Sequence, residues 1–430
     1  MQKALRRDKS FYRYLARLTA PIALQNLITF SLGLIDTLMV SQLGNTEMAA
    51  VTTANVPVFL LISIVFGVQS GVGILISQYW GKKDLENISR AMGVAAYLGV
   101  GIAAVLAAAF FLWPVEIMDL LSNKHELSLL GAPYLRIIGF SYVFNMLSSI
   151  YVSAQRSVEN SSFGMKLFGM STVINTGMNY LLIFGKFGFP EMGIAGAAIA
   201  SSISEGVSAL FYILYTRYRT DWRRYKFRFT GFDFSLLKQI LSLSVWVMIQ
   251  QGVAFLAWFL FFLCIEHLGK RDLRFFDAFP NIVRAVSSLI FMFINAFAST
   301  TSSLVSNLIG AGYTEQIMPL CRKMIRLCFC FVLPLCILAA AIPYWTLRIY
   351  TDDVSLIEYA IPSLWVMLTT NIPCTAAFIY QFSVSGTGNT RTALTIVACT
   401  SIVYVAYTAL LVYGLHADVA LCWTADHVYY

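Results

Sequence analysis

The sequence has little charge for its length. Asp, Glu, Lys and Arg make up 12% of its 430 residues, whereas 58% are hydrophobic. Soluble domains typically carry about 25% charged residues. Apolar segments of about 20 residues recur along the chain, and each is long enough to cross a bilayer as a helix. The composition therefore predicts an all-α polytopic membrane protein.

The sequence also lacks the residue patterns that enzymes and nucleotide-driven pumps need. It has four scattered histidines, no Walker phosphate-binding loop and no Ser-His-Asp or paired-carboxylate arrangement. The eight cysteines, all between Cys264 and Cys422, show no zinc-ligand spacing, so we expect neither a metal site nor a disulfide framework. We expect no enzyme activity and no cofactor, and we expect any active transport to use an ion gradient.

Twelve apolar segments can be drawn along the chain. Their approximate limits are 15–42, 48–79, 90–113, 129–152, 162–184, 193–216, 237–265, 277–306, 322–343, 359–382, 391–414 and 417 onward. The last is shorter than the roughly 20 residues that a span needs, so we expect a shortened or truncated helix there. With a cytoplasmic N-terminus, most of the 30 Lys and Arg residues lie on the inner side, which accounts for the net charge of +8 without a nucleic-acid partner. This bias predicts a multi-pass membrane protein with a cytoplasmic N-terminus, and we expect it in the bacterial inner membrane.

Two short motifs of the first half recur in the second half, and the separation along the chain is the same for both. Ser77–Gly81 is echoed by Ser306–Gly310, and Arg156–Asn160 by Ser385–Asn389. We therefore predict an N-terminal six-helix lobe over 1–216, a basic cytoplasmic connector over 217–236 and a C-terminal lobe over 237–430. Two lobes related by a parallel repeat often surround the central cavity of an alternating-access transporter.

The first segment carries one carboxylate, Asp36, and a charge within a membrane span is costly enough to suggest a function. Helical spacing places Asp36 in one narrow arc with three polar or small residues, which are Gln25, Thr29 and Gly33. We expect the opposite, apolar side to face lipid; it holds Ile22, Phe30 and Leu34. The alternative is an Asp near a helix end that reaches toward the membrane surface.

Polar residues also occur in the fifth and sixth segments. Asn175 and Asn179 are four residues apart, so their amides share a helix face and could either join two helices or assist a site. Glu205 continues a series of small residues at every fourth position, which are Gly193, Ala197 and Ser201. This spacing predicts that Glu205 lies on a packed face, as a site residue or as a hydrogen-bonded structural acid.

The eighth segment carries Arg284 at the start of a polar stripe. The stripe continues with Ser288, Asn295, Ser299, Ser302 and Ser306. Such a stripe is typical of a helix that lines a wet cavity, where Arg284 could hold an anionic group or pair with an acid. The alternative is an Arg that reaches the headgroups from the outer end of the span.

Several stretches resemble MATE (multidrug and toxic compound extrusion) transporters. Asp36–Val40 with Leu43-Gly44, Ala49–Val51 and the upstream Pro21 resembles the first MATE helix. The stretch Asn175–Ala198 resembles the fifth and sixth helices, and Gly386–Arg391 resembles the glycine-rich turn after the tenth. The resemblance implies two six-helix bundles around a cavity that opens alternately to each side. It also implies export of organic cations or drugs in exchange for H⁺ or Na⁺.

The resemblance places the first-helix acid on Asp36 and the fifth-helix amide on Asn175. The expected ion-coupling and substrate residues are Asp36, Asn175, Asn179, Glu205, Gln25 and Ser201. Na⁺ could bind among Asp36, Asn175 and Asn179, because a carboxylate and amide oxygens suit it, whereas a buried carboxylate alone can take up and release a proton.

The chain departs from the family pattern at several positions. Asn179 stands where related transporters often have Asp, and the seventh and tenth segments have amides in place of acids, so we expect no coupling carboxylate in the second half. Its cavity candidates are Arg284, Gln251, Asn295 and Asn371. We expect a monomer that contacts only the bilayer and small organic compounds. The alternative function is a flippase for lipid-linked precursors, which would use cavity arginines.

Overall fold

A computed structural model describes residues 8–122, 124–219, 232–269, 279–348, 350–351 and 353–430. Most of the predicted connector, 217–236, lies outside the described residues. In chain order the helices are α1 (Asp8–Ser41), α2 (Asn45–Lys82), α3 (Leu85–Leu112), α4 (Pro114–Leu121), α5 (His125–Ser157), α6 (Ser162–Ile183), α7 (Gly193–Arg219), α8 (Phe234–Gly269), α9 (Phe279–Gly310), α10 (Ile317–Ala341), α11 (Pro343–Arg348), α12 (Val354–Gly386), α13 (Thr390–Ala409), α14 (Val419–Cys422) and α15 (Ala425–Tyr429).

The helices confirm the predicted all-α membrane fold. Within the described residues, nine helices are long and apolar enough to cross a membrane by length and composition. Two further long helices, α6 with 22 residues and α12 with 33, coincide with the predicted fifth and tenth segments. The last segment forms only the short helices α14 and α15, as its length predicted.

The short helices α4 and α11 were not predicted. Each begins with a proline, Pro114 or Pro343, directly after a long helix. Proline suits the first position of a helix because its fixed φ matches helical geometry and its missing N–H would lack an intrahelical acceptor there. The two prolines have the same separation along the chain as the two repeated motifs, so the repeat extends to these connecting elements.

The chain folds into two compact units. The first unit is Ala20–Met248, and the second combines the residues up to Thr19 with Ile249–Tyr430. The first residues of α1 therefore belong to the second unit and the rest of α1 to the first. The first residues of α8 belong to the first unit and the rest of α8 to the second. Phe11 and Leu15 of α1 are fully buried in the second unit's core, and Ile240 of α8 is fully buried in that of the first.

The parallel repeat is visible in the backbone as well as in the sequence. Left-handed residues follow equivalent helices at matching places in the two halves. They form three pairs with the separation of the repeated motifs: Lys83 (φ 63°) with Gly312 (φ 79°), Glu159 (φ 67°) with Gly388 (φ 88°), and Phe187 (φ 57°) with His416 (φ 49°). Since residues other than glycine rarely adopt this conformation, the agreement shows that equivalent helices end in the same way.

The repeat also preserves one close helix contact. In the first unit, Ser157 donates to the Gly73 carbonyl at 2.9 Å; in the second, Ser306 donates to the Gly386 carbonyl at 2.6 Å. Ser302 occupies the position of Gly73 in the repeat, and Gly386 that of Ser157, so glycine and serine have changed sides. A Cβ on Gly386 would lie 2.6 Å from the Ser302 carbonyl oxygen. Ser302 and Ser306 of the predicted polar stripe thus pack α9 against α12.

Replacing Gly386 by Ala should destabilise the protein by about 1–3 kcal/mol, because the added methyl group must push α9 and α12 apart. Gly252→Ala is the matched control. Its Cβ would meet no atom within 4 Å, and alanine favours a helix over glycine by up to about 1 kcal/mol. The measurement is the thermal unfolding midpoint of each purified variant in detergent. A Gly386→Ala protein as stable as the wild type would contradict the close contact.

Candidate functional site

A polar cavity of about 440 Å³ lies within the first unit. Its walls come from the last turns of α1, the first turns of α2, and the middle parts of α5, α6 and α7. Asp36 and Glu205 are the two acids in its lining, and Asn55, Asn145 and Asn175 are its amides. The rest of the lining is mainly apolar or aromatic, so the cavity combines an apolar surface with a few charged and polar groups, as small-molecule sites usually do.

A chain of hydrogen bonds connects Asp36 to two other helices. Asn179 Nδ2 donates to Asp36 Oδ1 at 2.6 Å and to Asn175 Oδ1 at 2.8 Å. Asn175 Nδ2 donates in turn to the Ser201 hydroxyl at 3.2 Å and to the Ser204 hydroxyl at 3.5 Å. The network therefore joins α1, α6 and α7 at the wall of the cavity. A hydrogen bond to an ionised carboxylate is about twice as strong as one between neutral groups.

The two amides of α6 share one face, as their spacing predicts. Asn175 is 2% exposed and Asn179 1%, so both amides are enclosed by the packed helices. Asn179 Oδ1 is buried and accepts no hydrogen bond from the described residues. This amide oxygen therefore lacks a hydrogen-bond donor beside Asp36, although Asn179 itself does not line the cavity. The part of Asn175 and Asn179 in ion coupling stays a prediction.

Glu205 lies in the same cavity but in a different hydrogen-bonding environment. Asn145 Nδ2 of α5 donates to Glu205 Oε1 at 3.0 Å. The small residues before Glu205 were expected to mediate close packing, but Ala197 and Ser201 line the cavity. The close contact is made by Gly196, where a Cβ would lie 2.6 Å from the Leu182 carbonyl oxygen. Each acid of the cavity thus has its own amide donor.

Sequence analysis missed the contribution of α2 and α5 to this site. Asn145 binds Glu205, and the Tyr134 hydroxyl donates to Asn55 Oδ1 at 3.3 Å. Tyr134 and Tyr142 bring aromatic rings to the lining. The available signal was the isolated Asn55 and Asn145 within long apolar segments, but nothing in their spacing relates them to Asp36 or Glu205.

The predicted faces of α1 are only partly correct. Asp36 and Gly33 line the cavity, but Gln25 does not; it is buried, and its Oε1 accepts no hydrogen bond from the part of the chain that the structure describes. Leu34, expected to face lipid, is 43% exposed, whereas Ile22 is only 1% exposed. The prediction that Ile22 faces lipid is wrong, because the N-terminal half of α1 is covered on that side while the half near Asp36 is open.

No hydrogen bond between described residues joins the candidates of the second unit to one another. Asn371 is buried and donates to Met367 and Leu368 carbonyls of its own helix. Asn295 accepts a hydrogen bond from Ser299 at 3.3 Å, and it lies three helical turns beyond Arg284, about 16 Å along α9. Gln251 lies half-buried on α8.

The second unit nevertheless contains an acid that sequence analysis overlooked. Asp426 of α15 is half-buried, and it is close enough to Arg284 for the two charges to interact. The expectation of no coupling carboxylate in the second half stays a prediction, but the short last segment packs on the core of the second unit and brings this acid with it. Its position in a stretch too short to span a membrane hid this residue.

The two-lobed helical fold and the acidic cavity define a polytopic membrane transporter. The model of the MatE family matches residues 21–181 and 253–410. The chain belongs to this family, whose members are multidrug efflux transporters and not enzymes.

Relatives and solved structures agree with this assignment. The probable multidrug resistance protein YoeA of Bacillus subtilis is 27% identical over 317 residues, which cover 73% of this chain and 68% of YoeA. The probable multidrug resistance protein NorM of Thermotoga maritima is 24% identical over 388 residues, 87% of this chain and 80% of NorM. An outward-facing multidrug resistance MATE transporter of the MOP superfamily matches with a TM-score of 0.88 at 17% identity, over 99% of this chain and 94% of its own. At that identity the structure supports the fold alone.

Replacing Asn179 by Ala should lower stability by about 1–3 kcal/mol, because Asp36 and Asn175 both lose their amide donor inside the protein. Thr37→Ala is a control on the same cavity wall. The Thr37 hydroxyl is exposed and donates only to the Gly33 carbonyl of its own helix, at 2.8 Å, so its loss should change stability by no more than about 0.5 kcal/mol. Thermal unfolding midpoints measured in one detergent test this, and equal midpoints for the two variants would contradict it.

Proposed function

We propose that the protein exports small amphipathic, cationic organic compounds in exchange for H⁺ or Na⁺, with Asp36 as the coupling residue. The observation that carries this proposal is the Asp36 carboxylate, which faces a cavity within a membrane-embedded unit and is held by the Asn179 amide. A carboxylate in an apolar membrane protein is costly when it is charged and unpaired. Uptake of a proton or of a cation removes that cost, so ion binding and cavity structure are energetically linked.

The two coupling ions make different demands on Asn179. A proton can bind to Asp36 while Asn179 Nδ2 continues to donate to the other carboxylate oxygen. A Na⁺ ion binds oxygen ligands, as hard cations do, and the Asn179 group that now faces Asp36 is the nitrogen. Sodium coupling would therefore require the Asn179 amide to turn its unpartnered Oδ1 toward Asp36. Loss of this amide should then affect Na⁺ drive more than H⁺ drive.

Glu205 is suited to bind the substrate's positive charge. It lies in the same cavity as Asp36 but has its own donor, Asn145, and the rings of Tyr134 and Tyr142 are nearby in the lining. Carboxylates and aromatic faces are the groups that recognise organic cations. With separate carboxylates for ion and substrate, the two ligands need not compete for a single charge.

The proposal also includes a location, an oligomeric state and partners. We place the protein in the bacterial inner membrane with its N-terminus in the cytoplasm, because this orientation puts most of its Lys and Arg residues on the inner side. It would act as a monomer without a cofactor, with the bilayer and small organic compounds as its partners. The flippase alternative rests on Arg284, the one cationic side chain of the second unit that sequence analysis placed in a cavity.

Asp36→Asn should abolish gradient-driven export, because an amide has a similar shape but takes up neither a proton nor a cation. The measurement is efflux of ethidium from proteoliposomes under an imposed pH gradient or an imposed Na⁺ gradient. Glu116→Gln, an exposed acid of α4 outside the cavity, is the control and should transport like the wild type.

The same assay identifies the ion and tests the alternative. Efflux that only the pH gradient drives indicates that H⁺ is the coupling ion. Efflux that only the Na⁺ gradient drives, and that Asn179→Ala loses, indicates a Na⁺ ion held by the Asn179 amide. Full gradient-driven efflux by Asp36→Asn would disprove its coupling role. Efflux driven by neither gradient would favour the flippase.

Glu205→Gln should raise the ethidium concentration needed for half-maximal transport, while the same ion gradient still drives the reaction. The physical reason is that the substrate loses a counter-charge, whereas Asp36 and Asn179 are unchanged. Transport rates at several ethidium concentrations, measured with one fixed gradient, separate these effects. Loss of ion drive with unaltered half-saturation would instead assign Glu205 to coupling.

A further inference from the structure

Arg284 of the second unit is held by aromatic rings. Its guanidinium carbon lies 3.8 Å from the ring centroid of Trp258 and 5.5 Å from that of Phe262. These two rings are on neighbouring turns of α8, with centroids 4.8 Å apart. Cation–π contacts of this kind fix the position of a guanidinium but leave its N–H groups, which lie at the edge of the planar group, free to donate.

The donors of this cluster have no acceptor among the described residues. No described carboxylate lies within 4.0 Å of the Arg284 guanidinium, and its side chain makes no hydrogen bond to the described residues. Arg284 is half-buried, whereas Trp258 Nε1 is fully buried without an acceptor in that part of the chain. An unpaired buried donor is costly and an intramembrane Arg is rarely without a role. Two adjacent donors that lack acceptors indicate a ligand that supplies oxygen atoms.

Asp426 is the internal counter-charge of this cluster. Its charge interacts with that of Arg284, but no Asp426 oxygen lies within 4.0 Å of the guanidinium. The carboxylate thus reduces the cost of the Arg284 charge inside the span without occupying its donors.

We propose that Arg284 and Trp258 form a binding site for the anionic oxygen group, a carboxylate or a phosphate, of an amphipathic compound. Arg284 presents a fork of N–H groups that matches such a group, and Trp258 adds its indole N–H. Such a site serves the export function proposed above and rests on it, because it extends the substrates from cations to zwitterions.

Equilibrium binding without any gradient tests the site independently of ion coupling. The probes are dansylglycine and dansylglycinamide, which differ in the carboxylate alone, and the readout is fluorescence anisotropy with the full chain in neutral detergent. The wild type should bind dansylglycine at least about tenfold more tightly than the amide, as expected for a charge-assisted hydrogen bond. Absence of this preference would overturn the proposal, whereas a failure of gradient-driven efflux would leave it intact.

Three variants test the two donors. Arg284→Gln should remove the preference for dansylglycine, and Trp258→Phe, which keeps an aromatic face but lacks the N–H, should weaken binding by about twofold to tenfold. Arg348→Gln is the matched control, because Arg348 also lies over a tryptophan, Trp345, at 5.5 Å, and it should change nothing. Unaltered binding in Arg284→Gln or in Trp258→Phe would show that the two-donor site is wrong.

Two further arms identify the ligand. Asp426→Asn should leave dansylglycine binding unchanged or tighter, since it removes a repulsive charge. If Asp426→Asn instead loses dansylglycine binding, and Arg284→Gln binds tetraphenylphosphonium more tightly than the wild type, the aromatic cluster binds organic cations and the proposal is overturned.

Competition with phosphatidylglycerol distinguishes two sources of the anionic group. If this lipid raises the apparent Kd for dansylglycine in the wild type, the natural ligand includes a lipid phosphate; if it does not, the site serves free carboxylates. Either result retains Arg284 as the anion-binding group.

Discussion

The hydrogen bond between Asn179 and Asp36 is the contact on which the polar cavity of the first unit depends. It is 2.6 Å long and joins residues 143 positions apart in the chain. A carboxylate inside an apolar unit needs a donor, and Asn179 provides one while also binding Asn175. The bond therefore holds α1 to α6, and Asn175 extends the network to α7. Any change at Asp36, including protonation or cation binding, must alter a network that three helices share.

The two halves of the chain share a backbone but not a chemistry. The first unit has two carboxylates in one cavity, each with its own amide donor. The second has an arginine on a tryptophan, with the Asp426 carboxylate near it. A repeated framework with different polar groups can bind groups of opposite charge, which is one way for a two-lobed transporter to accept compounds with more than one kind of charge.

The repeat is best preserved where helices are closest. Gly73 and Ser157 in the first unit are replaced by Ser302 and Gly386 in the second. Ser157 donates to the Gly73 carbonyl in the first unit, whereas in the second the Gly386 carbonyl accepts from Ser306, one turn after Ser302. The steric condition is that at least one of the two facing residues is glycine, and it does not matter which helix carries it. Site residues obey no such condition, because their chemistry depends on the ligand and not on the spacing of the helices.

The sequence by itself determined the membrane class, the positions of the long helices, the internal repeat, the presence of one acid, Asp36, in the first span, and the shared face of Asn175 and Asn179. These features depend on hydropathy and on helical periodicity, which are local properties of the chain. Only the tertiary structure decided that Asn145 donates to Glu205 and that Asp36 and Glu205 line one cavity. It also decided that Ile22 is buried and that the Arg284 guanidinium lies over the Trp258 ring. Helical periodicity indicates which side of a helix is polar, but it does not indicate which distant helix packs against that side, and the function of a buried charge depends on that neighbour.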